Sequence, residues 1–209
     1  MVTQTERSQY VIDVPQATSL FQAGRPLIIT DDEKRENEGD IAIPAQYCTP
    51  DWINFMAVHA RGLICAPLDN ATADRLNLPP MVEDNEAELG TAFTVSVEAR
   101  TGVTTGISAA DRSRTVQLLA DPATSATDLV RPGHIFPLRA RDGGVLERGG
   151  QTEASVDLCR LAGLESVAVI CEVIRDDGTM ARMPDLERFA AQHDLRIVTV
   201  EALRLHRDA

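Results

Sequence analysis

The chain has 209 residues, of which 44% are apolar and 25% charged, and its formal net charge is −12. That length suits one domain with a substantial core. No Lys/Arg cluster interrupts the acidity, which argues against nucleic acid or an anionic membrane as the main partner, because both need a basic footprint.

A small anion held in a local basic pocket stays compatible with this balance. The first residues, MVTQTERSQYVIDV, contain no apolar core of a secretory signal. The longest apolar-rich run, Val167–Ile174, is far shorter than the roughly 20 residues of a spanning helix. A cytoplasmic chain is expected. Cys48, Cys65, Cys159 and Cys171 show no CxxC spacing, so reduced thiols are expected rather than a zinc knuckle.

Residues 1–12 read as a loose arm. VPQATSLFQAG predicts a short helix ending at Gly24, and PLIIT a buried strand. A charged loop, DDEKRENEGD (Asp31–Asp40), separates it from the strand IAIP. Thr49 and Pro50 mark the cap and first position of a helix in TPDWINFMAVHAR. GLICAPL follows as a strand, NATADRLNL as a short helix and LPPMVEDNEAELG as an acidic loop. TAFTVSVEA alternates and is β-branched, which predicts a strand. Ser108 and Asp111 fit a capping box for the helix AADRSRTVQLLAD. After a Pro-Gly turn, HIFPLRA is a strand. A glycine-rich loop leads to the Thr-capped helix TEASVDLCRLAG. Then come the strand SVAVICEV, the helix PDLERFAAQHD, and RIVTVEAL as a last strand running into a short helix. Helices and strands mix without a linker or a repeat, which indicates one domain over 1–209, α/β or α+β with a mixed sheet.

Four stretches could carry chemistry. Eight of the ten residues of DDEKRENEGD are charged. It reads either as a solvated loop or as a site for a divalent cation and a polyol, since hard cations take carboxylate oxygens and keep waters. GVTTGISAADR sets Thr104 and Thr105 before a helix start, where free N–H groups suit a phosphate; a plain capped helix is the alternative. RGGQTEAS, with Arg148, Gly149, Gly150, Gln151 and Thr152, could be a second anion cradle or a mobile glycine loop. His134 follows the Pro-Gly turn, and Glu172 lies inside the apolar run VICEVI. A lone histidine is usually structural and Glu172 could face outward, but both are candidates for proton transfer.

Taken in order, DDEKRENEGD, FTVSVEA, GVTTGISAADR, RPGHIFPLRA, GGVLERGG with TEA, the Cys171–Glu172 pair and DDGTMAR resemble 3,4-dihydroxy-2-butanone 4-phosphate synthase. The resemblance covers roughly residues 14–205. It implies an α+β domain with three α/β/α layers around a mixed twisted sheet, assembled as a homodimer with active sites near the subunit interface. The implied reaction converts ribulose 5-phosphate to formate and a four-carbon dihydroxyketone phosphate. It uses Mg²⁺, with Mn²⁺ as an alternative, and passes through an enediol, dehydration, a skeletal shift and loss of one carbon. By motif, Glu36 would hold the metal, and Arg35 and Asp40 would contact the sugar phosphate. Thr104, Thr105 and the Arg148–Thr152 loop would hold the substrate, mainly its phosphate. His134 and Glu172 would be the catalytic pair, Cys65 would lie near the substrate, and Asp31 and Glu33 would be proton-transfer groups.

The chain departs from the family pattern in two places. The family loop reads RGGHTEA with a metal-binding histidine where this chain has Gln151, a neutral and weaker ligand. A small serine is usual where this chain has Arg61. Three readings follow: a working synthase that tolerates Gln151, a paralogue that starts the same chemistry toward another product in specialised biosynthesis, or a non-catalytic sugar-phosphate-binding homologue.

Overall fold

The computed structural model describes residues 8–209. The expected arm is only partly within that range, and its described end is tied down. Ile197 N–H donates to Tyr10 O and Ile12 N–H to Ile197 O, both at 2.8 Å. Helix α1 (Val14–Gln22) opens with a complete capping box between Asp13 and Gln16. Gly24 ends it at φ 69°, a left-handed position that favours glycine.

β1 (Leu27–Thr30) and β2 (Gly39–Pro44) form an antiparallel hairpin whose residues are all buried. α2 (Pro50–Phe55) widens into a π-helical turn at Met56–Ala60 and stops at Arg61, φ 70°. β3 (Cys65–Leu68) and α3 (Asn70–Arg75) follow, then β4 (Val97–Ala99), α4 (Ala109–Ala120) and β5 (Leu129–Arg139). α5 (Gln151–Leu161), β6 (Ala168–Glu172), α6 (Met183–His193), β7 (Ile197–Thr199) and α7 (Val200–Asp208) complete the chain.

One seven-stranded sheet runs β4-β5-β3-β6-β2-β1-β7. β3 pairs β5 and β1 pairs β7 in parallel; the other pairs are antiparallel. Apolar residues of α1, α5 and α7 (Phe21, Leu158, Leu203) pack one face, with Ile29, Ala42 and Ile170. Those of α2, α4 and α6 (Ile53, Leu119, Leu186) pack the other, with Ile28, Ile43 and Cys171. The expected three-layer α+β architecture is what forms. No described helix is long and apolar enough to cross a membrane, and all four cysteines are free and buried.

The sequence expectations and the structure differ at four points. Within TAFTVSVEA only Val97–Ala99 is a strand; Phe93 and Thr94 make single bridges to Leu138 and Pro80. The Pro-Gly turn before His134 is instead a bulge inside β5. Val97 pairs Ile135 while Glu98 pairs Val130, so residues 131–134 are looped out of the ladder. Gly150, not Thr152, caps α5. At α4 only half the expected box forms: Ser108 Oγ accepts the Asp111 N–H, but the Asp111 carboxylate turns to Thr104 and Gly106.

The bulge requires glycine at 133. A Cβ there would lie 2.0 Å from Val97 C, 2.1 Å from Val97 O and 2.4 Å from Glu98 N. These are backbone atoms that cannot swing aside. Gly133→Ala is expected to cost about 3 kcal/mol, which in a thermal melt is a fall in Tm of roughly 6–12 °C.

Candidate active site

The site begins with strand register. β2 and β6 run antiparallel with Asp40 opposite Glu172, so both side chains leave the same face of the sheet at directly opposed positions. Ile170, two residues before Glu172, pairs with Cys65 and brings β3 onto that face. Asp40 is buried, and its pKa is pushed well above the ordinary value. Burial is the main cause, followed by Glu172, Glu36, Glu38 and Asp31. Glu172 is fixed from the far side, because its Oε2 accepts the Leu63 N–H at 2.8 Å. Gly62 leaves room for this, since a Cβ there would fall 2.4 Å from Oε2.

The charged loop folds back over this pair. Asp31, 0% exposed at its side chain, is its organiser. Its carboxylate accepts the N–H groups of Glu36 (3.0 Å) and Glu38 (2.9 Å), which satisfies loop backbone that would otherwise be buried unpaired. Arg35 Nη1 donates to Asp31 Oδ2 (2.7 Å), Glu36 Oε2 (2.6 Å) and Gln151 Oε1 (3.1 Å). Burial disfavours the Arg35 charge, but the bonds and charges of Asp31 and Glu36 outweigh it and raise its pKa. Arg182, the arginine of DDGTMAR, clamps the loop from α6 by donating to Glu36 O at 2.6 Å and to Asn37 O. Burial, and then Glu36, push Glu38 up. Glu33 stays exposed outside the group.

The cleft between loop and sheet, about 140 Å³, is lined by Arg35, Glu36, Glu38, Asp40, Cys65, Thr91, Phe93, Leu138, Arg148, Gln151, Thr152, Ile170 and Glu172. The N-terminus of α5 faces it. Gly150 has no side chain to cap the helix, so the first-turn N–H groups remain available to an anion. Neither Arg148, the arginine of the expected cradle, nor Arg35 is free, however. Arg148 Nη1 is paired with Glu153 Oε2 at 2.6 Å, and its other nitrogens donate to Leu89 O and Thr91 Oγ1. Cys65 lines the cleft as a neutral thiol: burial first, then Glu172 and Asp40, push its pKa far up.

Three expected site residues form a separate patch. His134 Nδ1 meets Glu98 Oε2 at 2.9 Å on the solvent side of β4. The His134 side chain is 45% exposed, and with Nδ1 engaged by the carboxylate Nε2 is the nitrogen left without a described partner. Glu98 in turn packs against Gly106, where a Cβ would lie 1.7 Å from Glu98 Oε1. The Thr104–Gly106 turn beside it is not an open phosphate cradle. Asp111 already takes Thr104 N–H (3.1 Å), Thr104 Oγ1 (2.7 Å) and Gly106 N–H (3.0 Å). Sequence reasoning gave no role to Glu98, Arg182, Thr91 or Glu153. The glutamate in FTVSVEA and the arginine in DDGTMAR were the signals.

The donors suit a hard divalent cation. Among the described residues no three His, Cys, Asp or Glu side chains already form a cage, but Mg²⁺ needs only one or two carboxylates and keeps its waters. Glu36 Oε2 and Gln151 Oε1 converge on one cationic nitrogen, Arg35 Nη1. Glu38, Asp40 and Glu172 add negative charge around them.

A model of the 3,4-dihydroxy-2-butanone 4-phosphate synthase family matches residues 15–206. The chain is 55% identical over 194 residues to the riboflavin biosynthesis protein RibBA of Salinispora arenicola, covering 93% of this chain and 46% of that protein. It is 54% identical, also over 194 residues, to the 3,4-dihydroxy-2-butanone 4-phosphate synthase of Neisseria meningitidis serogroup B, covering 93% and 53%. The chain thus spans about half the length of the curated relatives it matches. A crystal structure of a 3,4-dihydroxy-2-butanone 4-phosphate synthase in complex with two magnesium ions superimposes with TM-score 0.92 at 41% identity, covering 94% of this chain and 97% of that one. RibBX of A. baumannii, a two-domain synthase, gives TM-score 0.89 at 50% identity, covering 92% and 56%.

The Asp40 shift has a signed consequence. Its folded pKa lies above the ordinary 3.8, so the folded state holds the proton longer than the unfolded chain. Stability is undiminished below the unfolded pKa and falls as pH rises toward the folded one. Asp40→Asn removes this penalty. Thermal melts without divalent cation are expected to show equal Tm near pH 3.5 and a more stable variant at pH 8.

Proposed function

The chain belongs to the 3,4-dihydroxy-2-butanone 4-phosphate synthase family, and on that premise we propose that it converts ribulose 5-phosphate to formate and 3,4-dihydroxy-2-butanone 4-phosphate in the riboflavin pathway. The observation that carries this reading is the convergence of Glu36, Gln151, Asp40 and Glu172 on one cleft beside the uncapped start of α5. A phosphate fits the first-turn N–H groups there. The acids then face the carbon chain, where the reaction needs groups that take and return protons.

Glu36 and Gln151 Oε1 would hold the cation, Mg²⁺ with Mn²⁺ as an alternative, which when bound polarises substrate oxygens. Arg35, released from its three acceptors, would turn to the sugar phosphate. Glu172, held at Oε2 by Leu63 N–H, keeps Oε1 for proton transfer to a substrate carbon or oxygen. Asp40, whose proton is retained to higher pH, suits a donor to a departing hydroxyl. Cys65, neutral, serves as a close-packed wall rather than a thiolate nucleophile. Arg148 orders the cleft through Glu153 and Thr91. In this reading the chain works in the cytoplasm.

His134, Thr104 and Thr105 enter through a homodimer. Their patch around Glu98 carries Ile107, 52% exposed, and the turn that holds Glu172 carries Leu63, 42% exposed. A second copy that buries these apolar side chains would bring the half-exposed His134 toward a cleft. Mixing His134→Ala protein with Glu172→Gln protein tests this. Each alone is expected to be inactive. The mixture should recover about a quarter of wild-type turnover if each site draws on both chains, given random two-fold reassortment. No recovery would place all residues of a site in one chain.

Gln151 favours a second reading, a paralogue that diverts the same opening chemistry. Carbon-13 NMR of ribulose 5-phosphate with the protein, in Mg²⁺ and in EDTA, separates the two. Formate and a four-carbon phosphate, in Mg²⁺ only, are expected. Loss of substrate without formate would establish the diverted reaction, and no loss at all would remove the synthase reading.

A further inference from the structure

Gln151 is 5% exposed and lines the cleft. Its Oε1 accepts from Arg35 Nη1 at 3.1 Å. Arginine has only donors, so this bond fixes which end of the amide is which. The flipped orientation would set two donors against each other. The remaining end, Nε2, is buried and has no acceptor. Buried donors left in this state are few in folded proteins, and each calls for an explanation.

We infer that Gln151 Nε2 donates to an oxygen on the carbon chain of the bound pentulose phosphate, a carbonyl or hydroxyl oxygen, and so makes position 151 a specificity-determining donor in this chain. The inference rests on the cleft's being a pentulose phosphate site. The phosphate is not its acceptor. Glu36 and Glu172 share the cleft with Gln151, and their charge drives a dianion toward the uncapped start of α5. The uncharged, oxygen-rich end then lies along the acids and beside the amide. Arg35 is both the lid and the trigger. It sits at the start of α5, with Nη2 3.0 Å from a Cβ placed on Gly150. In the proposal, Arg35 turns to the phosphate and so opens Nε2 to the substrate oxygen. Oε1 stays free to face a cation, so a single neutral side chain offers an acceptor to one ligand and a donor to the other.

The test uses two variants of the full chain. Gln151→Glu keeps an oxygen for Arg35 and replaces the donor, and Gln151→Met removes both polar ends. Calorimetry in EDTA measures ribulose 5-phosphate, and separately inorganic phosphate, without turnover; Mn²⁺ binding without sugar is read by electron paramagnetic resonance. Both variants are expected to lose about tenfold in ribulose 5-phosphate affinity with inorganic phosphate within twofold of wild type, and Gln151→Glu should bind Mn²⁺ more tightly. Unchanged sugar phosphate affinity in the near-isosteric Gln151→Glu overturns the inference. So does a parallel loss of inorganic phosphate, which would make Nε2 a phosphate ligand. If wild type binds no ribulose 5-phosphate with or without Mg²⁺, the pentulose phosphate reading fails first and takes the inference with it.

Discussion

Two carboxylates, Asp40 and Glu172, are set side by side by the register of adjacent strands. Like charges directly opposed on one face of a sheet repel. Moving them apart would need a one-residue slip, which would exchange the side chains of β2 between two differently packed faces, Ile41 and Ile43 on one and Ala42 on the other. The hydrophobic pattern of IAIP therefore holds the acids together against their repulsion. Much of the surrounding structure answers that constraint. Leu63 N–H and the missing side chain of Gly62 steady Glu172, the Asp40 carboxyl keeps its proton longer, and the neighbouring thiols stay neutral.

The loop that closes over this pair is highly charged and yet mostly satisfied from within. Asp31 acts like a piece of backbone, accepting two N–H groups, and Arg35 gathers three oxygens on one nitrogen. Arg182 adds a clamp from α6, on the opposite side of the sheet from α5. A guanidinium so placed serves as an internal counter-ion. On the proposed function a divalent cation would take the same oxygens with greater charge and leave the arginine for an anion, and that exchange would give a physical reason for an arginine directly before the glutamate in RENEGD.

Much of this was legible in the sequence because the information is local. Apolar runs gave β1, β2 and β6, Thr49–Pro50 and Gly24 marked helix ends, and the charged loop stood out between two strands. The cleft side of the site followed from motifs on neighbouring elements. What was not legible depends on register and reach. Nothing in RPGH says that Val97 and Glu98 pair on either side of residues 131–134, so a bulge read as a turn. Nothing in SAAD says whether the aspartate returns to Ser108 or goes forward to Thr104; two N–H groups and a hydroxyl outcompeted one. The partnership of Glu98 with His134 spans two strands, and the strand TAFTVSVEA shortened because its first half meets β5 and Pro80 only in single bridges rather than in a continuous ladder.

Gln151 shows how one substitution can be read only with its neighbours. An imidazole would bring a single acceptor nitrogen and a single donor on a rigid ring, with a proton it can gain. An amide brings an acceptor and two donors, never titrates, and turns about a longer stem. Beside Arg35 the amide has one allowed orientation, so its flexibility is removed before any ligand arrives. Compared with the histidine that the family resemblance leads one to expect, the amide offers no base, in a place where Glu36, Glu38 and Glu172 already line the cleft. In that setting a neutral amide adds no further group that must titrate with the acids.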